Sequence, residues 1–205
     1  MPALWTPSDK LLLASMSATR LALLVSAGLP VETQDSAIDE RAVEHAAVHE
    51  GLDPPALAAR LAEEKALAVS RRHPDRVVIG ADQVLACEGR VFHKPADRPA
   101  AEAQLMALSG RRHALHSAGA LAIGGQVVER ILGTAHLTMR PLTEEAVELY
   151  LDLAGPDVLR SVGVYQLEGF GVHLFEAVEG DHSTILGLPL LPLLASLRRL
   201  GCLAL

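Results

Sequence analysis

Apolar and polar positions follow two rhythms along this chain, and the rhythm changes several times. After a loose opening, "MPALWTPSDK", the short continuous apolar run "KLLLAS" predicts a buried strand. "SATRLALLVSAGLP" then repeats apolar residues at helical spacing, with Ser17 placed to cap a helix and Gly28-Leu29-Pro30 to stop it. "VETQDSAIDER" is polar and irregular, with an acidic pair at Asp39-Glu40. "DPPALAARLAEEKALAVSRRHP" places Leu57, Leu61, Ala66 and Leu67 at helical spacing. It closes on Arg71, Arg72 and His73, which suit a helix C-terminus.

The rhythm then turns to strands. Val77, Val78 and Ile79 form a β-rich run, and Glu88-Gly89 predicts a hairpin turn. "PAAEAQLMALSG" returns to helix, with Pro99 in its first turn. Apolar segments from His113 to Arg140 flank Gly124-Gly125 as a long hairpin. "LTEEAVELYLDLAG" is a further helix opened by Thr143, and "VGVYQLEGFGVHLFEAVEG" suggests two strands around Gly169 and Gly171. A final apolar helix starts near Pro189. Helices and strands alternate, yet the hairpins exclude a purely parallel sheet, so the class is α/β with a mixed sheet. No repeat or composition break marks a linker, and the 205 residues are expected to form one domain.

Composition narrows the function. Half the residues are hydrophobic but only 3% are aromatic, so the core must be built from Leu, Val and Ala. The net charge of -7 supplies no basic field for nucleic acid or an anionic membrane, and few rings are present on which bases could stack. Two distant cysteines, Cys87 and Cys202, offer neither a disulfide framework nor metal-type spacing. Arg20 interrupts the N-terminal apolar stretch where a signal peptide would be continuous, and no segment reaches the length of a membrane helix. A cytoplasmic protein is expected.

Four polar clusters interrupt the apolar elements. Ser15-Met16-Ser17-Ala18-Thr19-Arg20 lies between a strand and a helix, where N–H groups, hydroxyls and a guanidinium can hold phosphate oxygens. Spacing alone reads it more simply, as a Ser17 cap beside a surface arginine. Asp82 and Gln83 follow small residues at the end of an apolar strand run. A carboxylate there can bind a divalent cation, take a proton from water, or merely close a turn. Lys65 and Lys94 stand beside predicted loops, and Glu168 lies among flexible glycines; taken singly each reads as a solvated side chain. His45 and His49 have helical spacing without a zinc motif around them, and His113 and His116 should face opposite sides of a strand.

Taken in order, "LLLASMSATR", "SAIDER", "AEEKALAVS", "VIGADQV", "FHKPADRPAAEAQLMALSGRRH", "SVGVYQLEGFG" and "EGDHSTILGLPL" resemble the Maf family of nucleoside triphosphate pyrophosphatases, from Leu11 to about Leu190. The resemblance implies hydrolysis of a nucleoside triphosphate between the α- and β-phosphates, a divalent cation (magnesium or manganese), and a homodimer. It also implies an elongated mixed α/β fold, similar to inosine triphosphatases, with a central cleft between two lobes. Carried onto this chain, it makes Ser15, Arg20, Lys65 and Lys94 the phosphate-binding set. Glu40 and Asp82 become the cation ligands, with Asp82 also the proton acceptor.

Three positions depart from the commoner family pattern. Thr19 stands where an arginine is usual, Gln83 where threonine is usual, and Glu168 where many members carry glutamine. The dTTP- and UTP-specific branch has Arg, Thr and Gln there. The branch similar to 7-methyl-GTP pyrophosphatase has a non-Arg residue, Gln and Glu, which this chain matches. A carboxylate accepts both N1–H and N2–H of guanine and complements a 7-methylated ring. A dTTP/UTP enzyme and a nucleotide-binding regulator of septum formation without turnover stay open as alternatives.

Overall fold

The computed structural model describes residues 4–205 of the chain. The first three residues of the expected loose N-terminus lie outside that range. The remainder of this terminus is pinned down: Trp5 bridges to Leu203, and Thr6 Oγ1 donates to the Gly201 carbonyl at 2.6 Å.

One seven-stranded mixed sheet organises the fold. Its strands are β1 (Leu11–Ala14), β2 (Val31–Thr33), β3 (Val78–Cys87), β4 (Arg90–Phe92), β5 (Arg112–Ile123), β6 (Gln126–Met139) and β7 (Phe175–Glu179). The order is β2-β1-β3-β5-β6-β7, with β4 beside β3. β1 runs parallel to both β2 and β3, while the remaining pairs are antiparallel. The parallel part needs crossovers, supplied by α1 (Ala18–Ser26) between β1 and β2, and by α2 (Glu40–His49) and α3 (Pro54–Arg72) before β3. The antiparallel part needs only turns, and β5 and β6 are joined across Gly124-Gly125, both at positive φ.

Helices cover both faces. Side chains alternate along β3, so Gly80, Asp82 and Val84 face one way and Ile79, Ala81, Gln83 and Leu85 the other. On the first face α3 buries Leu57, Leu61, Ala62 and Ala66 against Val84 and the alanines Ala118, Ala120 and Ala122 of β5. On the second, α1 and α7 (Leu190–Arg199) pack Leu24, Leu193 and Leu197 against Leu13, Ile79 and Leu121. Further along that face, α4 (Arg98–Leu108) and α5 (Glu144–Ala154) build a separate apolar cluster on Leu85, Leu115 and Leu137. Ser17, Asp53, Asp97 and Thr143 cap their helices through side-chain oxygens, each satisfying an orphan N–H. Among the described residues no helix is long and apolar enough to cross a membrane. Cys87 and Cys202 are buried and unpaired.

Two stretches differ from the sequence reading. "VETQDSAIDER" is not wholly irregular: it holds the three-residue β2, and Asp39 accepts from Ala42 N at 3.0 Å to start α2 at Glu40. The two strands expected around Gly169 and Gly171 are not formed. Tight single turns at Val162–Val164 and Phe170–Leu174 take their place, and the one strand there is β7. Gly163 and Val164 both have positive φ, +83° and +61°, which breaks any extended run.

Candidate active site

The sheet has a gap in one edge. β1 ends where Ala14 pairs with Gly80, and β4 rejoins the same edge of β3 only where Phe92 pairs with Leu85. Residues 81–84 therefore have a strand partner on the β5 side alone. Asp82 and Gln83 are thus not at a strand end, as the sequence suggested, but in mid-strand beside a neighbour that has stopped. The gap opens into a cleft of about 1330 Å³. Because the strand is bare there, side chains from both faces of the sheet reach the same space.

The α3 face supplies an ion cluster. Lys65 Nζ lies 2.6 Å from Asp82 Oδ1 and 2.9 Å from Glu40 Oε1. Lys65 and Asp82 are 6% and 8% exposed, while the Glu40 side chain is half open to the cleft. Gly80 makes this closeness possible, since a methyl there would overlap the Ala62 carbonyl and come within 2.5 Å of Ala66 N. None of the described residues donates a hydrogen bond to Asp82 Oδ2. One oxygen of this carboxylate is therefore fixed and the other is available.

The loop between β1 and α1 supplies the opposing wall. Ser17 Oγ accepts from Arg20 N at 3.3 Å, so the cap predicted from spacing is present. Arg20 is nevertheless not a surface arginine. Its Nε donates to the Gly187 carbonyl at 2.9 Å, and its Nη1 donates to the Ala81 carbonyl at 3.0 Å and to Ser15 Oγ at 3.2 Å. Burial lowers its pKa from the ordinary 12.5, with Asp82 and Glu40 opposing that shift. A guanidinium held this way stays charged and aimed. Thr19 lines the same wall, and Lys94 stands exposed on the rim just after β4.

Gln83 belongs to the other face. Its Nε2 lies 2.9 Å from Ser117 Oγ, 3.1 Å from the Thr184 carbonyl and 3.0 Å from the Ile185 carbonyl. Glu168 sits exposed at the cleft in a turn closed by Gly169 N donating to the Gln166 carbonyl. All nine candidate site residues named from the sequence, Glu40 among them, line this one cleft.

Sequence reasoning missed the groups that hold Arg20 and Gln83. These are backbone carbonyls of α6 (His182–Ile185) and of Gly187 just beyond it. Only the cap was visible in advance, in "GDHS", where Asp181 accepts from Ser183 N and Oγ. Tyr165 was missed as well; it lines the cleft with its hydroxyl 2.8 Å from His113 Nε2. His113 is buried and His116 faces the other way, toward Thr134 Oγ1, as strand alternation required.

The donor set is all oxygen, which suits a hard divalent cation over a soft one. Among the described residues no group of three or more His, Cys, Asp or Glu converges on one point. The described residues build no closed metal cage, so Glu40 and Asp82 could hold magnesium or manganese only with the remaining oxygens supplied by water or a bound ligand. His45 and His49 contact each other edge to face on α2, remote from any third ligand.

The site is thus a mixed α/β sheet broken at one edge, with a fixed guanidinium on one wall and paired carboxylates on the next. Comparison with known proteins makes that description specific, since the family model described as Maf-like protein matches residues 10–200. A nucleoside triphosphate pyrophosphatase of Rhodopseudomonas palustris (strain BisB18) is 56% identical over 98% of both chains. One of Nitrobacter winogradskyi is 55% identical over 96% of both. A protein of Mesorhizobium japonicum named 7-methyl-GTP pyrophosphatase is 50% identical over 95% of this chain and 98% of its own. The chain belongs to the Maf family.

Proposed function

We propose that this protein is an enzyme that hydrolyses a nucleoside triphosphate to the monophosphate and pyrophosphate, with preference for guanine and in particular for a 7-methylated ring. The observation that carries the reaction is the Lys65–Asp82–Glu40 cluster facing Arg20 across the gap in the sheet. The names of relatives at 50–56% identity over nearly the whole chain support the same class.

Arg20, Lys94, Ser15 and the N–H groups at the start of α1 would hold the phosphate chain, which an acidic protein can attract only through a local cationic set. A divalent cation, held by Glu40 and Asp82 with phosphate oxygens, would polarise the phosphoryl group under attack. Asp82 Oδ2 would take a proton from water as the water oxygen bonds to the α-phosphorus. The α–β bridging P–O bond breaks, and pyrophosphate leaves with the bridging oxygen. Lys65, which holds Asp82 Oδ1 in the structure, would turn to the phosphate oxygens once the cation is bound.

Base preference is a reading of three residues. With its nitrogen facing two carbonyls, Gln83 keeps Oε1 as its free group, an acceptor for a base N–H. Glu168 offers a carboxylate to guanine N1–H and N2–H, and Thr19 removes a guanidinium that would repel a methylated, positively charged ring.

Product analysis over a panel of nucleoside triphosphates tests both parts. Pyrophosphate release is expected, fastest with 7-methyl-GTP or GTP. Asp82→Asn should lower kcat by about 10²–10⁴. Release of orthophosphate alone would overturn the cleavage site, fastest turnover of dTTP would overturn the base preference, and tight binding without product would favour the regulator.

A further inference from the structure

Lys65 has a place in the proposed reaction, but its position suggests more. Its ammonium is not directed at the phosphate cradle. It sits between the two carboxylates assigned above to a cation, 2.6 Å from Asp82 Oδ1 and 2.9 Å from Glu40 Oε1. Magnesium requires oxygens at about 2.0–2.1 Å, so ammonium and metal ion cannot both occupy the space between the same two oxygens.

The geometry points to Lys65 as a built-in occupant of the cation position, which keeps metal out until a nucleotide arrives. This rests on the reading of Glu40 and Asp82 as cation ligands. Three features argue for it. The contest without nucleotide favours the lysine, because it is tethered and 6% exposed, whereas among the described residues no third acidic, histidine or cysteine ligand converges there. A magnesium ion with two carboxylates must keep most of its water and gains little by displacing a charge already in place. The lysine also has somewhere to go. Its four-carbon stem is flexible, and the same cleft lies open to the Ser15–Arg20 loop, where phosphate oxygens would sit. The triphosphate then does two things together: it draws the ammonium off the carboxylates and adds the oxygens that complete the metal's shell.

Cation and nucleotide are therefore coupled through one side chain, and linkage makes the coupling reciprocal. In the free protein the cluster carries a monovalent ammonium on two carboxylates, so part of their negative charge is offset without metal. The enzyme does not hold a bare divalent ion in wait, and metal arrives with its substrate.

The test is Mn²⁺ binding, read from the paramagnetic resonance of free Mn²⁺ with no turnover involved. It is done with and without the α,β-methylene analogue of the triphosphate, in which the scissile bond resists hydrolysis. Wild type should bind Mn²⁺ weakly alone and about tenfold or more tightly with the analogue. Lys65→Met should bind Mn²⁺ alone about tenfold more tightly than wild type, because the competing charge is gone. Lys65→Arg keeps the charge and should stay weak. Mn²⁺ binding to Lys65→Met no tighter than to wild type overturns the proposal. Wild-type Mn²⁺ affinity that is unchanged by the analogue overturns it too, and needs no variant to fold. If Mn²⁺ fails to bind wild type even with the analogue, the cation-ligand reading itself falls and takes this proposal with it.

Discussion

His113 shows how a residue outside the cleft reaches into it. The ring is 2% exposed, with Nε2 on the Tyr165 hydroxyl and Phe175 alongside; Nδ1 has no partner among the described residues. Burial holds its pKa down at about 4, the Arg111 backbone opposing and His136 adding to the shift. An unfolded histidine titrates near 6.5, so between the two values the unfolded chain binds a proton that the native state refuses. The contribution to stability is complete above the unfolded value and is lost as pH falls toward 4. Its size is on the order of 3 kcal/mol. Urea-unfolding free energies measured between about pH 7 and pH 5 should fall more steeply for wild type than for His113→Gln. Equal slopes would place the acid sensitivity elsewhere. Burial also raises the pKa of Tyr165 and lifts Tyr150 to about 12, so both hydroxyls stay protonated. Tyr150 donates to the Val164 carbonyl at 2.9 Å, pinning a β-branched residue in a left-handed conformation directly behind the cleft wall.

At the scale of elements, the contact between α3 and β3 sets the position of the ion cluster. Gly80→Ala would push α3 away and Lys65 with it, because the new methyl meets backbone rather than a yielding side chain. A loss of about 1–3 kcal/mol is expected from overpacking of this kind, read as a lower melting temperature. Pyrophosphate release should fall further than unfolding alone explains. Elements with strong periodicity and a side-chain cap were legible in the sequence: α1 behind Ser17, α3 behind its prolines, α5 behind Thr143, and the β5–β6 hairpin at its glycines. Val162–Leu174 was not. Its β-branched and aromatic residues alternate as a strand would, yet the left-handed residues Gly163 and Val164 and the tyrosine behind them impose turns. The site was legible only as polar interruptions. Ser15, Arg20, Lys65 and Asp82 could be named individually, but the carbonyls of Thr184, Ile185 and Gly187 that aim Arg20 and Gln83 leave no trace in residue identity.

For the whole molecule, the gap of residues 81–84 is what opens the cleft. A complete β1 would seal Asp82 under α3 and leave Gln83 beneath α6. Ending β1 four residues after it starts leaves the loop before α1 free to turn inward, and Arg20 caps the Ala81 carbonyl that β1 would otherwise have bonded. A short strand is thus the condition for a deep cleft.

The same gap gives the protein two workshops with separate doors. Asp82 is anchored through α3 and Gln83 through Ser117 and α6, so neighbours in sequence answer to different supports. Changes at Gln83 or Ser117 should shift relative turnover among bases while leaving Lys65–Asp82 geometry intact. Their energetic effects should then add to those of substitutions around Lys65 within about 0.5 kcal/mol, which a double-mutant cycle on kcat/KM would measure. On the proposed reading, recognition could be redesigned, or could drift over generations, without rebuilding the chemistry one peptide bond away.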